Sequence, residues 1–461
     1  MRASLAQLVA SLTGARMTKN VAFEGVSTDS RTLKAGELFV ALRGENFDGH
    51  DFLPTIAQQG VGAVIAEQLP EGWNLPAIVV PNTLTALGQV GHFWREKFAI
   101  PVIGVTGSNG KTTVKEMIAS ILAQAYGEDG RLATRGNLNN EIGVPLTLMR
   151  LLPEHKAAVI ELGMNHPGEI ARLAAIVAPT VALVNNAQRE HQEFMHTVEA
   201  VALENGAALS ALPRSGTAVY PADDTYTPLW EKLADQRRTI TFGLDATADV
   251  CCNHTANAFG SDLLVTARID GKAPYQFPVK LAAAGVHNVR NALAAIACAL
   301  GAGIEQDAIV RGLESFAPVS GRLQHKRARN GAAVIDDSYN ANPDSVRAAI
   351  DVLAQAAQPR ILVLGDMGEV GTQGQQFHEE IGAYAASRGI DAVLVTGELT
   401  RHMVAAGATH FEQFDELLAA LDTALGSKSD ATVLVKGSRF MKMERVVQHL
   451  TGTHNTGKEA H

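Results

Sequence analysis

Gly104-Val105-Thr106-Gly107-Ser108-Asn109-Gly110-Lys111-Thr112-Thr113 is the stretch on which the fold of this 461-residue chain turns. Before it, Ile100 and Val102-Ile103 supply the apolar β-branched run of a buried strand. After it, Val114, Met117, Ile118, Ile121 and Leu122 recur at helical spacing. A glycine-rich turn between a strand and a helix N-terminus aims backbone N–H groups and the positive end of the helix dipole at an anion. Lys111 adds a full charge near the terminal phosphates, and the Thr112 hydroxyl can bind Mg²⁺. The commonest nucleotide pattern, G-x-x-x-x-G-K-T, would place glycine at position 105, where this chain has Val105. The loop is therefore a shorter variant, in which Gly107, Ser108, Asn109, Gly110, Lys111, Thr112 and Thr113 are the candidate nucleotide contacts.

Working outward, length and composition match an enzyme of about three domains. Hydrophobic residues make up 46% of the chain and the formal net charge is −9, without long runs of one sign. That balance favours solubility and argues against a nucleic-acid partner. Three cysteines, Cys251, Cys252 and Cys298, form neither a disulfide framework nor a metal-ligand spacing, as expected in a reducing compartment. No basic segment followed by an apolar core opens the chain. The longest apolar stretch, from Ala292 to Ile304, is too short for a bilayer and holds two glycines. The expectation is a cytoplasmic protein with no membrane contact and a polar, frayed tail from Thr451.

Three sections follow one another. The first mixes short strands with polar loops and includes Gly36 to Leu42, Ala63 to Ala66 and Ala77 to Val80. The second continues from the phosphate loop through Ala157 to Leu162 and Val181 to Val184, with helical patterns between. Strand–helix–strand repetition implies parallel pairing with right-handed crossovers. The third starts near Arg311 and repeats the pattern with Ala333 to Asp336, Ile361 to Leu364, Val393 to Val395 and Val433 to Val435.

Open α/β sheets bind ligands beyond the carboxyl ends of their strands. Glu161 ends such a strand and is placed to hold Mg²⁺, which keeps several waters and takes few protein oxygens. A solvated strand-end glutamate is the plainer alternative. His191, after Val184-Asn185-Asn186, is a similar candidate, although a lone histidine is more often structural. In the third section Asp336-Asp337-Ser338-Tyr339-Asn340-Ala341-Asn342-Pro343 closes one strand; Asn342 with Pro343 also makes a good helix start. Gly365-Asp366-Met367-Gly368-Glu369 and Lys436-Gly437-Ser438-Arg439 give two further polar strand mouths, which suggests a shared cleft.

On these motifs the chain resembles the Mur ligase family over essentially its whole length. The resemblance implies an α/β protein of three domains. Residues 1–98 form a small N-terminal α/β domain for a uridine-nucleotide sugar. Residues 99–310 form a central ATP-binding domain with a mostly parallel sheet, and residues 311–461 a doubly wound, Rossmann-like domain. Ser27-Thr28-Asp29-Ser30-Arg31, Gly36 to Gly44 and Phe47-Asp48-Gly49-His50 resemble the uridine-binding segments, implying Ser27, Ser30, Arg31, Gly44 and His50 as substrate contacts. Asn137-Leu138-Asn139-Asn140 resembles a substrate-side loop, implying Asn137, Asn139 and Asn140. Lys111, Glu161 and His191 are the implied catalytic residues, with Thr112, Glu161 and His191 at Mg²⁺. Asn288 and Asn291 resemble the asparagines near the adenine, and Arg322 and Asp337 the C-terminal contacts to ATP.

Within the family, Tyr339, Asn340 and Asn342 with Gly365 to Glu369 resemble the member that adds a dipeptide; the Asp-Asn-Pro-Arg motif expected of the preceding ligase is not found. The implied partners are UDP-N-acetylmuramoyl-tripeptide and D-alanyl-D-alanine, with ATP and Mg²⁺, acting on a monomer. Another amino-acid acceptor, or a nucleotide-binding regulator without catalysis, are the alternatives. Two positions depart from the family pattern. Asn205 stands where many members carry a lysine that is carbamylated and helps hold a second Mg²⁺, so the expectation is that either Glu204 or another acid compensates or the second metal is held more weakly. Val286 stands where a basic residue is common.

Overall fold

The structure, a computed structural model, describes residues 1–44, 46–190, 192–257 and 260–452. His191 and the tail from residue 453 lie outside them. Three main sheets, each with its own apolar core, follow the three sections of the chain, and a two-stranded pairing of Arg2–Ser4 with Ala22–Glu24 adds to the first.

In the first section a five-stranded sheet runs in the order Arg16–Met17, Ala77–Val79, Ala63–Ala66, Leu38–Val40, Val26–Ser27. Its inner three strands are nearly all buried and pair in parallel. The helix Thr83–Arg95, capped by Asn82 accepting from the Thr85 N–H, leads to the second section. Arg95 is buried and donates to the carbonyls of Val177, Phe98 and Ala178, which fixes the helix against the central unit.

The central sheet has nine strands among the described residues. Its parallel part runs Arg131–Ala133, Ala157–Glu161, Val102–Thr106, Val181–Val184, Thr217–Pro221, Arg238–Phe242. The three at its centre, Ala157–Glu161, Val102–Thr106 and Val181–Val184, are short, buried and mostly apolar because helices cover both faces. The strand Val102–Thr106 lies between the strands of Glu161 and Asn185, so both strand ends open beside the phosphate loop. The antiparallel extension Val250–Asn257, Gly260–Ala267 and Tyr275–Leu281 was not foreseen. One of its faces is wet, so buried and exposed residues alternate and no continuous apolar run marks it.

The third sheet runs Gln324–Arg327, Ala333–Asp337, Thr432–Lys436, Arg360–Gly365, Ala392–Thr396, Thr409–Phe411, parallel except for the first. The helix Gln306–Glu314 spans the expected border at 310/311. It packs on the helix Lys111–Tyr126, with Ser120 Oγ donating to the Gly312 carbonyl at 2.7 Å, and its Ile309 and Leu313 belong to the central core. By packing, the change of core therefore comes after this helix. No helix among the described residues is long and apolar enough to cross a membrane.

Candidate functional site

The phosphate loop is held in shape by side chains from three other segments. Gly107 takes φ +131° and Gly110 φ +82°, a region open to glycine. A Cβ on Gly107 would lie 2.9 Å from Asn185 Cβ, and one on Gly110 would strike the Asn291 carboxamide. Asn186 Oδ1 accepts from the Asn109 N–H at 2.9 Å, while Asn185 and Asn186 both donate to the Asn109 carbonyl. Asn185 also donates to Asn291 Oδ1, and Asn291 to Asn288 Oδ1, which joins the loop to the helix Val286–Gly301. Val286 itself is exposed.

Glu161 is buried at the end of its strand. Its Oε1 accepts from Thr112 Oγ1 at 3.1 Å and from Asn139 Nδ2 at 2.9 Å, and its N–H donates to Thr134 Oγ1. Lys115, fully buried, donates to the Thr134 carbonyl and so fixes that neighbouring strand end. The other carboxylate oxygen, Oε2, is buried without a hydrogen-bond partner among the described residues. A hydroxyl beside a carboxylate oxygen with spare capacity is the sparse, hard-oxygen set that suits Mg²⁺ completed by water and phosphate. No three described His, Cys, Asp or Glu side chains converge as a protein-only cage.

Lys111 Nζ donates to the carbonyls of Gly107 at 2.5 Å and Ser108 at 3.1 Å, and lies 3.3 Å from Glu190 Oε2. The segment from Asn185 to Glu190 was passed over in the sequence except as a lead to His191. The rule that singled out Glu161, polar residues just beyond a central strand, applies equally to it.

Asn205 is fully buried, and its Oδ1 accepts from Thr106 Oγ1 at 2.6 Å and from the Gly107 N–H at 3.1 Å. It braces the root of the phosphate loop. Glu204 does not face the loop: its carboxylate accepts from the N–H groups of Gly168 and Ile170, at the start of the helix Glu169–Val177.

The third section closes over the loop. Asn342 caps the helix Pro343–Ala354 by accepting from the Ser345 N–H, and its Nδ2 donates to Asn109 Oδ1 at 2.9 Å. Arg189 forks onto Asp344 at 2.6 Å and Glu380 at 2.8 Å. Asp337 meets Lys436 Nζ at 2.6 Å and accepts from the Leu323 N–H; burial raises its carboxyl above the usual range while the Lys436 ammonium pulls the other way. The Arg322 guanidinium stacks 4.3 Å over the Tyr339 ring. Lys436 also donates to the Asn340 carbonyl at 2.8 Å.

One cavity of about 940 Å³ runs through these groups. It is lined by the loop from Ser108 to Thr113, by Glu161 and Glu190, and by Asn137, Asn139 and Asn140. Asn288 and Asn291 reach it from one side, and Arg322, Asp337, Tyr339, Asn340 and Asn342 from the other. From the first section only Leu84 is among its lining residues. Ser27, Ser30, Arg31, Gly44 and His50 lie elsewhere. Ser27 Oγ exchanges hydrogen bonds with the Asp29 backbone, and Arg31 pairs with Asp29. The Gly44 N–H donates to the Phe47 carbonyl. His50 has both ring nitrogens engaged, Nδ1 with Asp48 and Nε2 with the Glu67 N–H.

The family descriptions "Mur ligase family, catalytic domain", "Mur ligase middle domain" and "Mur ligase, glutamate ligase domain" match residues 22–94, 105–299 and 321–439. The chain is 38% identical over 454 residues to the UDP-N-acetylmuramoyl-tripeptide–D-alanyl-D-alanine ligase of Escherichia coli (strain K12), covering 97% of this chain and 98% of that one. A crystal structure of MurF from Acinetobacter baumannii superposes with a TM-score of 0.91 at 33% identity, covering 98% and 99% of the two chains. MurF ligase from Thermotoga maritima, in complex with ADP, superposes with a TM-score of 0.82 at 27% identity over 93% and 97%. Built on a phosphate loop that the third sheet closes over, and matched along almost its whole length, the chain belongs to the Mur ligase family.

Proposed function

We propose that the protein is an ATP-dependent ligase that joins D-alanyl-D-alanine to UDP-N-acetylmuramoyl-tripeptide. The products are the UDP-muramoyl-pentapeptide used to build peptidoglycan, ADP and phosphate. The observation that carries this reading is the single cavity shared by the phosphate loop, the Asn137–Asn140 loop and the strand mouths of the third sheet. The names of the relatives at 38% identity support the choice of substrates, and ADP in the Thermotoga maritima structure supports the nucleotide.

The chemistry follows from the charges. A peptide carboxylate is a poor electrophile, so one of its oxygens attacks the γ-phosphorus of ATP, giving an acyl phosphate and releasing ADP. The dipeptide amine, having lost a proton, then attacks the carbonyl carbon. The tetrahedral intermediate collapses with loss of phosphate, leaving the amide. Lys111 and the loop N–H groups face the charge that develops in the first step. Glu161 with Thr112, and His191, would hold Mg²⁺, which neutralises phosphate charge when bound. Asn139 and Asn140 lie on the tripeptide side, and Tyr339 and Asn340 on the dipeptide side. Asn342, committed to its helix cap and to Asn109, serves by closing the cleft. His50 and Arg31 order the loops of the uridine side. All partners are small molecules, and the protein works as a cytoplasmic monomer.

The test is phosphate release from Mg-ATP with UDP-muramoyl-tripeptide, with and without D-alanyl-D-alanine. Release that needs both substrates and yields pentapeptide is expected. Release with a different amine but not with the dipeptide would overturn the acceptor, and no release with any amine would overturn the ligase.

A further inference from the structure

Lys111 and Glu190 carry an inference beyond the reading just given, on whose nucleotide site it rests. An ammonium group has three protons and no acceptor. In this structure the Lys111 ammonium reaches the Gly107 carbonyl, the Ser108 carbonyl and Glu190 Oε2. The loop cation is thus fully occupied inside the protein, and a terminal phosphate can take it only by displacing one of these partners. Glu190 is the charged one, and it is buried, with 7% of its surface exposed.

When Lys111 turns to the phosphate, the Glu190 carboxylate faces incoming negative charge within the same cavity. Like charges close together away from bulk water repel strongly. Three groups on other segments make contacts of their own. Arg189 is forked onto Asp344 and Glu380, Asn205 is neutral and bound to Thr106 and Gly107, and Glu204 is tied to the backbone at Gly168 and Ile170. Glu161, lining the same cavity, keeps one buried carboxylate oxygen without a partner among the described residues. We propose that Glu190 has two states: it neutralises Lys111 before nucleotide binds, and with nucleotide bound it helps to hold a divalent cation in this cavity. In this chain the acid at that position would then come from the segment after Val184, not from the helix that carries Asn205.

The test uses the full chain with a non-hydrolysable ATP analogue, adenylyl imidodiphosphate, and Mn²⁺ as the probe cation. Calorimetry reads analogue binding with and without Mn²⁺, and electron paramagnetic resonance reads free Mn²⁺ during titration of the analogue complex. Glu190→Gln is expected to weaken Mn²⁺ binding to that complex by about 10- to 100-fold. The same variant is expected to bind the analogue severalfold more tightly when no metal is present, because Lys111 is released. Glu190→Asp keeps the charge and is expected to recover part of the Mn²⁺ affinity. A Mn²⁺ isotherm for Glu190→Gln that overlays the parent protein's overturns the proposal. Failure of the parent protein to bind the analogue at all would instead overturn the nucleotide site on which it rests.

Discussion

Lys111 shows how one residue serves both the folded loop and the chemistry. Its ammonium bridges the backbone of the loop it belongs to, so the loop is already shaped to receive phosphate. Lys111→Ala removes a positioned cation from the site of phosphoryl transfer but leaves helix and strand intact. Turnover is expected to fall by about 10²- to 10³-fold, with the circular dichroism of the parent. Activity near normal in that variant would remove Lys111 from its role. The reverse pattern holds at Asn205. Asn205→Ala leaves the Thr106 hydroxyl and the Gly107 N–H buried without their acceptor. The expected cost is about 2 to 4 kcal/mol in denaturant unfolding, and an unchanged midpoint would contradict the bracing role.

At the scale of elements, the helix Val286–Gly301 begins where the central and third sections meet. Gly285, at φ +93°, leaves space that a Cβ would fill 2.5 Å from the His287 ring and 2.8 Å from Val352 of the facing helix. Loss of solvation at that junction, helped by the Lys436 charge, pushes His287 down to about 4, with Asp351 opposing. The folded value lies below the ordinary value of 6.5, so the neutral ring favours the fold. That contribution is complete above pH 6.5 and is lost progressively as pH falls toward 4. Thermal midpoints measured across this window are expected to drop in the parent protein and to drop less in His287→Gln. Parallel curves for the two proteins would show that another group sets the acid limit.

At the scale of the whole molecule, the third section is docked on the central one by a small number of polar contacts. Arg189 carries two of them, and Asn109 with Asn342 a third. Arg347 also reaches Glu380, so loss of Arg189 does not leave that carboxylate alone. Arg189→Ala is expected to weaken docking by about 1 to 2 kcal/mol, the range for partly exposed but bidentate ion pairs. In small-angle scattering the ligand-free variant should be larger than the parent, and saturating substrates should reduce the difference. Equal dimensions without ligand would mean that other contacts hold the section closed.

The sequence by itself determined the phosphate loop, the parallel strands and the division into three sections. Each of these is written in neighbouring residues: Gly107 and Gly110 around a short turn, Lys111 and Thr112 at a helix start, and unbroken apolar runs such as Val181 to Val184 where both sheet faces are covered. Glu161 was legible because a strand end is a local feature with a known place in an open sheet. Only the tertiary structure decided what these groups face. Glu190 meets Lys111 across 79 positions, Asn205 meets Thr106 across 99, and Asn342 meets Asn109 across 233. Asn342 reads in sequence as a helix cap beside a substrate motif, and it is the cap; that it also touches the phosphate loop depends on how two sheets dock. Glu204 was a reasonable compensating acid by its position beside Asn205, yet adjacent helical residues point in different directions, and its carboxylate went to the Glu169–Val177 helix instead. Hydrogen-bond partners across such separations are set by packing of whole elements, and no local pattern in the chain encodes them.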